Sequence, residues 1–112
     1  MLTWSVEVIE AAETELLGLP DDMQARFLHI AGMLEELGPQ RVGLPHVRPL
    51  EDKLWEMRMT GRDGIARAVY FASTGRRLLV VRFFVKKTEK TPRREIELAR
   101  RRMEDAEKSP RD

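Results

Sequence analysis

Lys86, Lys87 and Lys90 fall within five residues, and Thr91-Pro92 follows them at the start of a helical pattern. A lysine crowded by other cations can serve as general acid or base, because like charges lower its pKa toward neutrality. A helix N-terminus alongside adds partial positive charge and free N–H groups, which favours phosphate. Arg58, Arg67 and Arg82 lie one on each of three strand-like runs, so a meander of those runs can bring them to one face. Four of these residues also have a plainer reading. Arg58 can be an exposed strand residue paired with Glu56, and Arg82, inside an apolar run, can be ion-paired. Lys87 and Lys90 can be a solvated loop before a helix. No paired carboxylates, no His/Asp/Glu cluster with metal-ligand spacing and no Ser-His-Asp arrangement stand out, so neither metal nor cofactor is expected. His29 reads as a packing residue beside a helical stripe, and His46 sits in a proline loop. Trp4 and Trp55 read as core. Phe83 and Phe84 point to opposite faces, so at least one is core, and the other could stack on a base.

The elements that must position these groups follow from the hydrophobic pattern. Residues 4–8 alternate apolar with polar, as a half-buried strand does. Ile9, Ala12 and Leu16 then share a helical face, broken at Leu19-Pro20. Asp21 and Asp22 suit the start of a second helix, whose apolar stripe is Met23, Phe27, Ile30, Ala31 and Leu34. Gly38-Pro39 stops it, and residues 38–52, with Pro39, Pro45 and Pro49, read as a loop. Leu54–Met59, Ile65–Ala72 and Arg77–Val85 are three strand-like runs joined by Gly61-Arg62-Asp63-Gly64 and Ser73-Thr74-Gly75, which predicts an antiparallel meander. Thr91 is the expected N-cap and Pro92 the first residue of a last helix, with Ile96, Ala99, Met103 and Ala106 on one face. The expected order is β-α-α-β-β-β-α. That is an α+β fold in one domain over residues 1–112, with about 107–112 a frayed tail.

Composition narrows the possible partners. The 112 residues contain no cysteine, which fits a reducing cytoplasm. No signal peptide is read at the N-terminus, and no apolar run approaches the roughly 18–20 residues of a membrane span. The formal net charge of +1 conceals a strong asymmetry. Residues 1–52 hold ten acidic and three basic residues, whereas residues 53–94 hold three acidic and twelve basic. So basic a centre in a near-neutral chain suits a face for a polyanion, the competing reading being ion pairs with the acidic half.

Four pieces of sequence carry a family resemblance: Gly43-Leu44-Pro45-His46-Val47-Arg48-Pro49-Leu50, Leu54-Trp55-Glu56-Met57-Arg58, Arg67-Ala68-Val69-Tyr70-Phe71, and Phe84-Val85-Lys86-Lys87-Thr88-Glu89-Lys90-Thr91-Pro92 running into Glu95-Ile96-Glu97-Leu98-Ala99. In this order they resemble the RelE/ParE toxin superfamily, and more closely its HigB-like, phage-derived branch. The resemblance implies a four-stranded, mostly antiparallel sheet packed on the helical hairpin. It also implies a HigA-like, helix-turn-helix antitoxin partner in a hetero-oligomer, and ribosome-dependent cleavage of messenger RNA in the cytoplasm. ParE-type relatives use the same fold to inhibit DNA gyrase, and an inactive, antitoxin-binding relative is a third alternative.

Metal-free RNA cleavage must remove a proton from the 2′-hydroxyl, give one to the leaving 5′-oxygen and stabilise the phosphorane's charge. On this reading Arg58, Arg67, Lys87 and Lys90 are the catalytic candidates, with Lys53, Arg62, Arg82 and Lys86 as RNA-binding residues. Arg76-Arg77 lies in a turn at the opposite strand end and is expected to be solvated. Some RelE-type toxins carry a functional tyrosine near the C-terminus. The single tyrosine here, Tyr70, is in mid-sheet, so that role is absent or replaced.

Overall fold

Strict alternation and short glycine-bearing turns build the centre of the sheet, as the computed structural model shows for residues 3–87 and 89–108. The elements are β1 (Ser5–Val8), α1 (Glu10–Leu17), α2 (Asp21–Leu37), a 3-10 turn (Pro39–Arg41), β2 (Val47–Glu51), β3 (Leu54–Gly61), β4 (Gly64–Ser73), β5 (Arg77–Lys86) and α3 (Arg93–Lys108). Their order across the sheet is β1-β5-β4-β3-β2. β2 to β5 form an antiparallel meander, and β1 pairs parallel to β5, with Ser5 opposite Arg77.

The expected loop over 38–52 is therefore corrected: it contains a fifth strand. Pro49 lacks an N–H, which confines it to an edge, and β2 is the edge strand. The two residues Asp52 and Lys53 close the β2–β3 turn, Asp52 taking a positive φ of 53°. α3 begins one residue later than expected and runs to Lys108, two residues into the expected frayed tail; the remainder of that tail lies outside the described residues.

The sheet is covered on both faces. Against the α1–α2 hairpin it buries Met57, Met59, Ala66, Ala68, Tyr70, Leu78, Val80 and Phe83, which meet Met23, Phe27, Ile30 and Leu34 of α2. Phe27 meets Phe83 edge-to-face with ring centroids 5.1 Å apart. On the opposite face Leu54, Val69, Phe71, Leu79, Val81 and Phe84 pack on Ile96, Ala99 and Met103 of α3. Phe84 is thus buried beneath α3 and is not the base-stacking surface considered from the sequence. Trp55 is half-exposed rather than core, and His29 is exposed rather than packed.

β5 carries a bulge. Val69 pairs with Arg82 and Tyr70 with Val80, which leaves Val81 as the extra residue. β1 has ended by this point, so side chains serve the neighbouring backbone groups. The Phe83 N–H donates to Glu15 Oε1 (3.1 Å), and Arg102 Nη1 donates to the Val81 carbonyl (2.9 Å). At the far edge, Glu35 Oε2 accepts the Val6 N–H (2.8 Å).

Candidate functional site

α3 covers only part of its face of the sheet. Toward the Gly61–Gly64 turn the same face carries Arg48 of β2, Glu56 and Arg58 of β3, Arg67 of β4 and Lys86 of β5. The register brings them together: Arg48 stands opposite Glu56, Arg58 opposite Arg67, and Lys86 opposite Ile65, two residues along β4 from Arg67. Arg48, Arg58, Ile65, Arg67, Lys86, Lys87 and Glu89 line a cleft of about 350 Å³. A second hollow of about 280 Å³ adjoins it on the side of the proline loop, where His46 and Pro45 join Arg48, Glu56, Arg58 and Arg67.

Glu56 lies at the bottom of this group and is 1% exposed. Its Oε1 accepts from Arg48 Nε at 2.9 Å, and its Oε2 accepts from the Thr91 hydroxyl at 2.6 Å. The Thr91 side chain is thus spent on Glu56 rather than on capping α3, and the Pro92 carbonyl takes the first helical N–H groups, those of Glu95 and Ile96. Arg67 Nε is 3.2 Å from Glu56 Oε1, within ion-pair reach but out of line for a hydrogen bond. Arg67 is 4% exposed, and its Nε and Nη1 have no hydrogen-bond partner among the described residues. Buried guanidinium donors are costly to leave unsatisfied, and an oxyanion is the acceptor they fit best.

The electrostatics of the cleft agree with this geometry. Burial pushes the Arg67 pKa down, with Glu56 opposing the shift and Arg58 and Arg48 adding to it. Lys86 is also pushed below the ordinary lysine range, first by burial and then by the Arg67 and Arg48 charges, against Glu56 and Glu89. Among the described residues no three His, Asp or Glu side chains gather as metal ligands would.

The residues singled out from the sequence separate into two sets. Arg58, Arg67, Lys86 and Lys87 share the cleft. Lys90 lines a neighbouring hollow of about 480 Å³ with Arg48, Leu50, Thr91, Pro92 and Arg93. Lys53 is on the surface at the β2–β3 turn, 2.7 Å from Glu107 of α3. Arg62 is in the β3–β4 turn, where its backbone N–H donates to Asp22 Oδ2 at 2.6 Å. Arg82 departs from the expected convergence. Its guanidinium is clamped between Glu15 of α1 (2.6 Å) and Glu95 of α3 (2.7 Å), and those hydrogen bonds hold its pKa up. Tyr70 is in the hairpin-side core, where burial raises its pKa, and is not at the cleft. Arg77 pairs with Glu7 at 3.2 Å at the opposite end of β5.

Sequence reasoning missed Arg48 and Glu56 as parts of the site. The signal for Arg48 was the two-residue spacing between Glu51 and Leu54, a hairpin length that would have placed Arg48 beside β3. The signal for Glu56 was its place between Leu54 and Arg58 on one side of a strictly alternating strand.

Comparison with known proteins adds family and fold. A chain in the crystal structure of the archaeal RelE-RelB complex from Pyrococcus horikoshii OT3 superposes with a TM-score of 0.53 at 18% identity, over 77% of this chain and 98% of that one. The two share a fold, as the sequence resemblance implied. A search of curated proteins gave no match. The family model described as Phage derived protein Gp49-like matches residues 14–104, a span from α1 through most of α3 that takes in every residue of the cation cleft. The chain belongs to the phage-derived Gp49-like family, built on a RelE-like fold.

Proposed function

We propose that this protein is the toxin of a type II toxin–antitoxin pair, an endoribonuclease that cuts messenger RNA on the ribosome without a metal or other cofactor. The observation that carries the reading is the buried guanidinium of Arg67, with two unsatisfied donors beside the cleft shared by Arg48, Arg58, Lys86 and Lys87. A phosphodiester entering there supplies the missing acceptors. Arg58 and Arg67 hold its non-bridging oxygens and stabilise the charge of the phosphorane. Lys86, its pKa lowered by burial and then by the Arg67 and Arg48 charges, takes the proton of the 2′-hydroxyl as that oxygen attacks phosphorus. Lys87 returns a proton to the departing 5′-oxygen, which leaves a 2′,3′-cyclic phosphate and a 5′-hydroxyl. Lys90, Lys53 and Arg62 guide the flanking phosphates. The protein acts in the cytoplasm, where its substrate is, and a HigA-like helix-turn-helix antitoxin neutralises it by covering the basic face.

The test is primer extension on a defined message with purified protein, with and without ribosomes. Cleavage confined to ribosome-bound message and indifferent to chelator is expected, because a site of cations without a histidine pair gains most from a substrate presented in line. Efficient cutting of free RNA that chelator abolishes would overturn the proposal. So would expression that stops thymidine incorporation first while messages stay intact, the outcome expected of a gyrase inhibitor.

A further inference from the structure

Glu56 is a buried carboxylate beneath a cleft lined chiefly by cations, with Glu89 at its lining, and two explanations of it predict opposite signs. A carboxylate beside Arg48, Arg58 and Arg67 can serve simply to neutralise: it lowers the repulsion among like charges and weakens their pull on an anion. Alternatively it can orient them. The contacts favour orientation. Three separate elements end on this one side chain: Arg48 from the edge strand, Arg67 from β4, and Thr91 from the segment leading into α3. Both oxygens are engaged, one by Arg48 and the other by Thr91, so the carboxylate plane is fixed. Fixed in that plane, Oε1 meets the Arg67 guanidinium out of hydrogen-bonding line, matching its charge while leaving Nε and Nη1 open.

We infer that Glu56 is the positioning residue of this anion site: it holds the Arg48 and Arg67 guanidinium groups and the Thr91 segment in the arrangement that grips a phosphate oxygen. The inference rests on the cleft being the phosphate site proposed above, and it assigns Glu56 no contact with the reacting atoms. It also explains why a buried carboxylate is kept where an apolar residue would avoid the desolvation of a buried charge. The charge has to be present for Arg67 to be buried, and it has to be pinned from two other sides for the donors of Arg67 to stay open.

The probe is inorganic phosphate, titrated calorimetrically into the full-length protein and its Glu56→Gln, Glu56→Asp and Thr91→Val variants. The Nε resonance of Arg67 reports on the orientation of the guanidinium. Positioning predicts that Glu56→Gln weakens phosphate binding about tenfold or more, although it adds a positive charge to the site, because oriented charge-assisted bonds are lost. Glu56→Asp, which keeps the charge and shortens the reach, weakens it too and shifts the Arg67 resonance. Thr91→Val changes no charge and should still weaken binding several-fold by releasing the carboxylate plane. Tighter phosphate binding by Glu56→Gln overturns the inference in favour of neutralisation. If Glu56→Gln does not fold, Thr91→Val decides: unchanged affinity and an unchanged Arg67 resonance overturn it. A native protein with no measurable phosphate affinity has no anion site to position, and that result overturns it as well. Weakened binding in the variants of a protein that never cuts message upholds positioning and removes the nuclease reading. Cleavage that keeps its kcat and KM in Glu56→Gln does the reverse.

Discussion

From the sequence Arg58 is a catalytic candidate and Arg82 an RNA-binding one, and the structure gives them environments different enough to predict opposite phenotypes for the same substitution. Arg82 donates through Nε and Nη2 to Glu95 and through Nη1 to Glu15, at 2.7, 3.2 and 2.6 Å. The two carboxylates are 9% and 17% exposed, so Arg82→Ala leaves both short of a counter-ion in a largely dry seam between α1, β5 and α3. Breaking a fully buried pair from one side costs about 3–5 kcal/mol. Arg102 and the Phe83 N–H still serve Glu15, and the seam is partly solvated, which brings the expectation to about 2–4 kcal/mol. For a domain of this size that is a fall in Tm of roughly 10–20 °C. Arg58 is exposed and stands directly across from Arg67, a like charge. Arg58→Ala should therefore leave Tm within about 3 °C of the parent or raise it slightly. On the proposed mechanism, loss of one donor to the phosphorane should nonetheless slow cleavage about 100-fold or more. Thermal melts and cell-free translation with the two purified variants read both properties. An Arg82→Ala protein that melts like the parent yet spares translation, or an Arg58→Ala protein that melts far lower, would refute the division.

The Arg76→Ala/Arg77→Ala double variant should inhibit translation nearly as well as the parent, because the Arg77–Glu7 pair lies at the opposite end of the sheet from the cleft; lost inhibition without lost stability would put the active edge on the wrong side. Arg93 and Arg100 hold the Glu51 carboxylate at about 2, below its ordinary 4.5, so its contribution is complete above about 4.5 and fades as pH falls toward 2. Side-chain carboxyl NMR should show that late titration in the parent and a return toward 4.5 in Arg100→Ala, and a Glu51 that titrates normally in the parent contradicts the contact. Gly61→Ala would place a Cβ 2.7 Å from Met23 Cγ and should cost about 1–3 kcal/mol in urea unfolding; a neutral result would mean that the β3–β4 turn is not seated on α2 as described.

What the sequence made legible was what periodicity encodes. The α2 stripe of Met23, Phe27, Ile30, Ala31 and Leu34 is buried as read, and the β3–β4–β5 meander follows its glycine turns. Arg58, Arg67 and Lys86 meet because antiparallel register is a local consequence of those turns. The edge strand was hidden because Pro49 suppresses strand propensity, and with it went Arg48, although its partner Glu56 lies only eight residues on. Arg82 was misplaced for a different reason. A bulge at Val81 shifts the alternation of β5, and its partners Glu15 and Glu95 lie 67 residues before it and 13 after. Neither fact leaves a trace in a pattern of period two. The burial of Glu56 was equally invisible, since only the assembled sheet gathers its three partners.

The parallel pairing of β1 with β5 has a consequence for how the molecule comes into being. The first strand of the chain and the β3–β4 hairpin flank a strand that is made almost last, and the sheet has no continuity until residues 77–86 arrive. Contacts this distant in sequence close late and slowly, after the entropy of the intervening chain has been surrendered. The α1–α2 hairpin and the β3–β4 hairpin can form early as separate local units. Arg67 can then already face Arg58, but it lacks the Lys86 side of the cleft and the Thr91 anchor on Glu56. A ribosome synthesising this protein has therefore completed most of the sequence before the cation cleft exists, and the cleft forms in the same step that closes the sheet.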